Sequence, residues 1–176
     1  PRLAHDIREL LESEDLTTTG LIVAPMRLYF RSRPIRGGIW GPQRDHALLA
    51  RVGGVSFSSR VHDGLDLRPG YDIIAIPLRD GNVIHHRWMR GYRQLVRRHR
   101  RYVHHEGRKR HAAGERFAPS MLIRAPIAAA YCAFVTRRGY RDGPRGVVLA
   151  ALWSWYQAAC VLALRRHQRD ARPAGP

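Results

Sequence analysis

Short apolar runs separated by turn signals fill the first half of the chain, a pattern typical of a mixed α/β region. Residues 3–12, LAHDIRELLE, place their leucines and isoleucine on one helical face and predict a helix. Residues 20–30 are rich in β-branched and aromatic side chains and predict a strand, in which Pro25 marks a bulge or an edge. Shorter strands are predicted at 45–51 and 55–59, and a hairpin-like pair at 71–78 and 82–88 around Arg79–Asp80–Gly81.

The pattern changes near residue 88. After this position, long segments with helical periodicity replace the short apolar runs. Residues 88–111 predict a strongly basic helix, and residues 116–138 and 147–166 predict two apolar helices joined by the segment GYRDGPRG. We therefore expect an α/β domain at 1–87, a helical region suited to membrane association at 88–166, and a flexible tail at 167–176.

The last apolar segment is relevant to membrane association. Residues 147–164 carry no charge and are long enough to cross a hydrocarbon core of about 30 Å. Arginines flank both apolar helices at both ends, so the sequence indicates no orientation for a span. Two interpretations are favoured over a span and stay open. One is a helix pair lying in the membrane interface, and the other is a buried hairpin with Ser154 and Gln157 hydrogen-bonded inside it.

The charge balance narrows the class of partner. The formal net charge is +17, and Lys109 is the only lysine among 31 basic residues. Such an excess favours anionic partners, namely nucleic acid, phosphorylated substrates or an acidic membrane surface, although codon bias also produces arginine-rich chains. Arginine suits bidentate contacts to phosphate and carboxylate groups. Cys132 and Cys160 lie in apolar runs and predict buried thiols in a reducing compartment rather than a disulfide.

Several residues at predicted strand ends and loops are candidates for chemistry. His86 closes an apolar strand, where an imidazole projects into a cleft or into solvent. Trp40 lies in the glycine-rich loop 37–42, which we interpret as flexible. Such a ring can stack on a sugar or base, and the commoner alternative is a structural tryptophan. Asp63 precedes Gly64, for which an ordinary turn is the simplest interpretation. The histidines of the basic helix have no partners at metal-ligand spacing and are interpreted as surface residues: His99, His104, His105 and His111.

Five motifs occur in one order along nearly the whole chain. They are Arg27–Leu28–Tyr29–Phe30, Arg36–Gly37–Gly38–Ile39–Trp40–Gly41–Pro42, Val61–His62–Asp63, His86 followed by Arg101–Tyr102, and Gly139–Tyr140–Arg141–Asp142–Gly143–Pro144–Arg145–Gly146. In this order they resemble the acceptor-side, C-terminal portion of bacterial family-2 glycosyltransferases, particularly those similar to lipopolysaccharide core β-1,4-glucosyltransferases. The chain departs from that family in two places. Asp63 replaces a glutamate, and Ala47–Leu48–Leu49 replaces arginine-leucine-phenylalanine.

The resemblance implies a partial GT-A-like glycosyltransferase fold, in which a short mixed sheet is followed by the basic helix and the apolar helical hairpin. It implies an inverting transfer, dependent on Mg²⁺ or Mn²⁺, from a nucleotide-sugar donor to a saccharide or lipid-linked acceptor in cell-envelope glycan synthesis. The family's nucleotide-binding half and aspartate-rich metal motif are expected upstream of Pro1. We therefore expect this fragment to be inactive by itself.

The resemblance also implies roles for individual residues. Asp63 takes the place of the catalytic base, and His62 orients that base or the acceptor. His86 either completes the metal shell or contacts the diphosphate. The remaining contacts are assigned to Arg27 and Arg36 for the donor phosphates and to Trp40 for the acceptor sugar.

The implied location is the cytoplasmic, inner face of the cell membrane, where the basic helix and the apolar pair hold the enzyme peripherally on anionic lipid. No nucleic acid is expected as a partner. Two alternatives stay open: a nucleic-acid-binding module that uses residues 88–111, and a non-catalytic membrane-associated remnant. The first of these lacks any RNP-like, helix-turn-helix or zinc-finger pattern in the sequence.

Overall fold

The structure is a computed structural model that describes residues 2–13, 16–41, 44–57, 65–79 and 81–171 of the chain. Within these ranges the chain is mixed α/β, with a small sheet followed by C-terminal helices, as the sequence predicts. Contacts divide the chain into two compact units. The first unit is Pro1–Arg27 with Gln43–His86, and the second unit is Leu28–Pro42 with Arg87–Pro176.

The elements follow the order that the hydrophobic pattern indicates. They are α1 (Arg2–Ser13), β1 (Thr19–Phe30), β2 (Arg33–Pro34), β3 (Arg44–Ala50), β4 (Val55–Phe57), β5 (Leu65–Leu67), β6 (Asp72–Ala75), β7 (Ile84–Met89), α2 (Tyr92–Ala112), α3 (Met121–Tyr131) and α4 (Pro144–Asp170). A π-helical turn (Cys132–Thr136) extends α3, and a 3₁₀ turn (Gly139–Asp142) precedes α4. The predicted N-terminal helix, the long first strand, the basic helix and both apolar helices are confirmed.

The first unit is built around the N-terminal part of β1, which has a strand on each side. Ile22 lies opposite Leu49 of antiparallel β3 and opposite Ile74 of parallel β6. The apolar face of α1 packs on this sheet through the following core: Leu3, Ile7 and Leu10 against Ile22, Ala24 and Ile76. Full burial of one such side chain stabilises the fold by about 1.5–3 kcal/mol. The LAHDIRELLE periodicity therefore indicates the core face correctly.

Two predictions for this unit are wrong because they rest on local signals. Pro25 is not a bulge: it is buried within β1 opposite Asp45, and the register irregularity lies between Ile22 and Val23. The predicted hairpin of β6 and β7 is also wrong, because both strands pair with β1. Long-range pairing with a central strand prevails here over the turn signal between them.

The buried side chain of Asn82 organises the segment between β6 and β7. Its Nδ2 donates to the Pro77 carbonyl at 2.8 Å and to Asp6 Oδ2 at 2.6 Å, and its Oδ1 accepts from the Arg79 backbone N–H at 2.8 Å. Since a buried amide without partners costs about 1–3 kcal/mol, these bonds satisfy the group and tie the segment to α1.

The second unit begins with the last residues of β1, which pair with β2 in the register Phe30↔Arg33. Its three helices follow, and α4 packs against both α2 and α3. Helix α2 begins later than predicted because residues 87–89 belong to β7. Two polar side chains of α4 are hydrogen-bonded inside this packing. Ser154 Oγ donates to the Pro126 carbonyl at 2.8 Å, and Gln157 Oε1 accepts from Arg110 Nη2 at 2.9 Å.

Helix α4 is the one helix in the described residues that is long and apolar enough to cross a membrane. Its most apolar window has a mean hydropathy of 1.8, and 33% of that window is buried inside the protein. Length and composition therefore fit a membrane-associated helix, and they fit the core helix of a soluble protein equally well. The bonds of Ser154 and Gln157 are those expected for the buried-hairpin interpretation.

Helix α2 approaches α4 closely at Gly107. A Cβ added there would lie 2.5 Å from the Cβ of Ala163 and 2.8 Å from its carbonyl carbon. Only a residue without a side chain allows the two backbones to come this close.

We expect Gly107→Ala to lower the free energy of unfolding by about 1–3 kcal/mol, because α4 backbone atoms occupy the space that the new methyl group needs. Urea unfolding followed by far-UV circular dichroism measures the change. The double variant Gly107→Ala with Ala163→Gly should recover part of the loss. A gain of about 1 kcal/mol in the single variant, which is the usual effect of alanine in an open helix, would contradict this packing.

Candidate functional site

The Asp142 carboxylate holds the loop that carries Arg36 and Trp40. Its side chain is only 1% exposed. Oδ2 accepts from the backbone N–H groups of Arg36 and Gly37 at 3.0 and 2.9 Å. Oδ1 accepts from Arg145 Nη2 at 2.6 Å, and the same nitrogen donates to the Pro34 carbonyl at 2.8 Å. A buried carboxylate needs such donors, so this arrangement fixes the path of the loop.

Close backbone contacts hold the same loop from the other side. A Cβ on Gly37 would overlap the carbonyl group of Arg138, and a Cβ on Gly146 would overlap the carbonyl oxygen of Gly139. The backbone N–H of Gly38, at φ +75°, donates to the Arg137 carbonyl at 2.7 Å. The interpretation of this loop as a flexible one is therefore wrong. Its glycines allow close backbone contacts and one left-handed conformation.

The ring of Trp40 belongs to an aromatic cluster within the second unit. Its centroid lies 4.8 Å from that of Trp88, 5.7 Å from Trp153 and 5.9 Å from His99. Tyr156 completes the cluster, 5.3 Å from Trp153 and 4.9 Å from His99. Trp40 is half-buried, so these rings hold it in one position while part of its surface stays exposed.

The prediction that His99 is a surface residue is wrong. The ring is half-buried in the aromatic cluster, and its Nδ1 lies 2.9 Å from the Leu95 carbonyl oxygen. Burial lowers the pKa of His99, and nearby Arg98 lowers the pKa further, whereas the bond to Leu95 opposes the shift. The ring is therefore neutral at pH 7, with Nδ1–H donating to the carbonyl. His104 and His105 are exposed, as predicted.

The apolar environment also shifts the pKa values of two groups in α4, the Tyr156 hydroxyl and the Cys160 thiol. Burial raises the pKa of Tyr156 well above its usual value, with a further contribution from Cys160. Burial likewise raises the pKa of the Cys160 thiol to about 11. Both cysteines are free thiols; Cys160 is buried, as predicted, whereas Cys132 is half-buried. A protonated, buried thiol is a packing group and not a nucleophile at neutral pH.

The remaining predicted site residues are distributed over the chain. Arg36 and Trp40 lie in the loop held by Asp142, and the Arg36 side chain is exposed. Arg27, in β1, and His86, in β7, belong to the first unit and are exposed. His62 and Asp63 lie outside the described residues. Arg36 and Trp40 are thus the pair of predicted site residues that the structure brings together.

The described ranges of the chain do not fit a divalent cation by themselves. Within them, no three histidine, cysteine, aspartate or glutamate side chains come together as a ligand set. His86 therefore has no described partners with which to complete a metal shell.

The sequence interpretation missed Asp142 and Arg145, which were assigned only to a linker between helices. One signal was available: GYRDGPRG has a single acidic residue among arginines and glycines. Glycines around one carboxylate indicate backbone close enough to donate hydrogen bonds to it. The sequence does not indicate which distant segment donates these hydrogen bonds.

Comparison with known proteins gives no match: no protein-family model fits the sequence, and no curated protein or solved structure is significantly similar to it. The fold and the site therefore define a mixed α/β protein with an arginine-rich helical C-terminal unit. Two of the five motifs that carry the resemblance meet in this unit, since Asp142 of one holds Arg36 and Gly37 of another.

We expect Asp142→Asn to lower the free energy of unfolding by about 2–4 kcal/mol. An amide places an N–H₂ group where the carboxylate now accepts, and it removes the charge that pairs with Arg145. Urea unfolding monitored by tryptophan fluorescence measures the loss. Asp170→Asn, at the exposed end of α4, is the matched control and should change stability by less than about 0.5 kcal/mol. Equal stability of the two variants would contradict the role of Asp142.

Proposed function

We propose that this chain is the acceptor-side part of a membrane-peripheral glycosyltransferase of family 2, with a partial GT-A-like fold. The enzyme transfers a sugar from a nucleotide-sugar donor to a saccharide or lipid-linked acceptor in cell-envelope glycan synthesis. The observation that carries the proposal is the contact of Asp142 with the Arg36–Gly37 backbone. It joins two motifs of the resemblance, although 106 residues of sequence separate Arg36 from Asp142.

The loop suits ligand recognition because its backbone is fixed while the Arg36 side chain is exposed and part of the Trp40 ring stays accessible. Arg36 has an exposed guanidinium group on a backbone that Asp142 holds, and a guanidinium matches the oxygens of a donor phosphate. Trp40 is held by the rings around it and keeps exposed surface for stacking on an acceptor sugar. A site whose groups are positioned before the ligand arrives loses less entropy on binding.

In the proposed reaction, Asp63 removes the proton of the acceptor hydroxyl as that oxygen attacks the anomeric carbon, and His62 orients the base. The bond from the anomeric carbon to the diphosphate breaks, and Arg27 and Arg36 contact the phosphate oxygens that gain charge. A divalent cation, Mg²⁺ or Mn²⁺, is part of the resemblance, with His86 as one ligand. Since the described residues do not fit that ion, no step is assigned to it.

The surface of α3 supports attachment to a membrane. Four apolar side chains at intervals of four residues are exposed along α3 and its π-helical extension: Ile123 (65%), Ile127 (63%), Tyr131 (62%) and Val135 (45%). Helix α4 exposes Trp155 and Leu162 in the same way. Exposed arginines lie just beyond the ends of these helices, Arg137 after α3 and its extension and Arg141 before α4 among them. Apolar stripes bordered by arginine are typical of helices that lie in the interface of an anionic membrane.

We expect the chain to float with anionic phosphatidylglycerol vesicles at low salt and to bind less at high salt. The double variant Ile123→Gln with Ile127→Gln should bind about tenfold to a hundredfold more weakly, because two apolar side chains no longer enter the interface. The control is Val52→Gln in the first unit, where the side chain is 95% exposed. No flotation of the unaltered chain at low salt would contradict membrane attachment and favour a soluble helical core.

We expect Asp63→Asn to lower sugar transfer by about 10²–10⁴-fold in the longest polypeptide that contains this chain, because an amide does not accept the proton. Donor binding, measured by calorimetry with a nucleotide sugar, should stay unchanged. The control is Asp66→Asn, an exposed position in β5 of the same segment. Unchanged turnover in Asp63→Asn would reject the assignment. Vesicle binding without any transfer activity would instead support the non-catalytic remnant.

A further inference from the structure

One side of α2 borders an open groove of about 640 Å³. Within the described residues the groove is lined by Tyr92, Arg93, Val96, Arg97, Arg100 and Arg101. Arg93, Arg97 and Arg101 follow one another at intervals of four residues, so they lie on one face of the helix. These six residues form the arginine groove.

The four arginines of the arginine groove have exposed side chains and no acidic partner in the described part of the chain. No described carboxylate lies within 4.0 Å of their guanidinium groups, whereas Arg110 of the same helix pairs with Glu106 at 3.3 Å. Like charges four residues apart destabilise a helix by about 0.2–0.5 kcal/mol per pair. Four unpaired cations on one face therefore carry a cost that a bound anion offsets.

Residues of α2 other than the groove arginines fix the helix to the rest of the second unit. Leu95 is 1% exposed, His99 lies in the aromatic cluster, and Gly107 contacts α4. At the start of the helix, the Tyr92 ring lies 4.8 Å from the buried ring of Phe30. The guanidinium groups are thus attached to a helix that cannot rotate, which keeps their spacing constant.

The chemistry of the arginine groove matches a ligand with two phosphate groups. A guanidinium forms two parallel hydrogen bonds to phosphate oxygens, and each such charge-assisted bond contributes about 1.5–3 kcal/mol. We propose that the arginine groove binds a diphosphate group, carried either by a membrane lipid or by a soluble molecule. Val96, Tyr92 and the arginine stems provide apolar surface for the part of the ligand next to the phosphates. None of its four arginines is assigned a role in the proposed transfer, although Arg101 belongs to one of the motifs that carry the resemblance.

Calorimetry with inorganic pyrophosphate tests the proposal on the whole chain. The groove variant is Arg93→Gln with Arg97→Gln and Arg100→Gln, and glutamine preserves the helix because it is a good helix former. The matched control removes the same charge from exposed arginines elsewhere: Arg108→Gln, Arg166→Gln and Arg169→Gln. We expect pyrophosphate to bind more tightly than sulfate at equal ionic strength. The groove variant should lose about a hundredfold in affinity and the control much less.

Two results would overturn the proposal. One is equal binding of sulfate and pyrophosphate, and the other is an equal loss in both triple variants, since each means that only net charge matters. Circular dichroism of the groove variant checks that α2 remains folded. If the pyrophosphate experiment fails, the Asp63→Asn result is unaffected, because the two experiments involve different residues.

Vesicle flotation distinguishes the two sources of the diphosphate. Vesicles that contain diacylglycerol pyrophosphate are compared with phosphatidylglycerol vesicles of equal surface charge. If the unaltered chain prefers the diacylglycerol pyrophosphate vesicles and the groove variant does not, the ligand is a lipid headgroup. Equal binding to both vesicles, together with tight binding of free pyrophosphate, indicates a soluble diphosphate. Weak binding in both assays would reject the site.

Discussion

The Asp142 carboxylate joins two segments of the second unit that are 106 residues apart in the sequence. All of its partners are donors: two backbone N–H groups of the loop and the guanidinium of Arg145. A buried charge needs such partners, so the loop and the turn before α4 stabilise each other. The position of Trp40, and with it the aromatic cluster, follows from this contact.

Helix α2 combines packing residues with charged residues. Leu95, His99 and Gly107 pack within the second unit, and α4 leaves no space for a side chain at Gly107. The arginine groove lies on the first half of the same helix. Because this packing holds the helix, the repulsion among the arginines does not unfold it. The apolar stripe of α3 is a separate surface with a different chemistry.

Local periodicity was sufficient to predict most elements, because α1, α2 and α4 each show a helical pattern that needs no knowledge of their partners. Contacts between distant segments were not predictable in this way. The pairing of β6 with β1, the burial of His99 and the bonds of Asp142 all depend on which segments meet. For the candidate site, the sequence predicted that Arg36 and Trp40 belong together, but not what holds them. His62 and Asp63 lie outside the described residues, so their roles stay predictions.

The charge on the exposed side of α2 comes almost entirely from guanidinium groups, and Lys109 is the only lysine in the chain. A guanidinium keeps its proton throughout the physiological pH range, and it is not a substrate for acetylation, which neutralises lysine. A cell therefore cannot switch this electrostatic surface off by acetylating the protein. Any control over what the helix attracts has to come from the abundance of the anions around it and from the ionic strength of the medium.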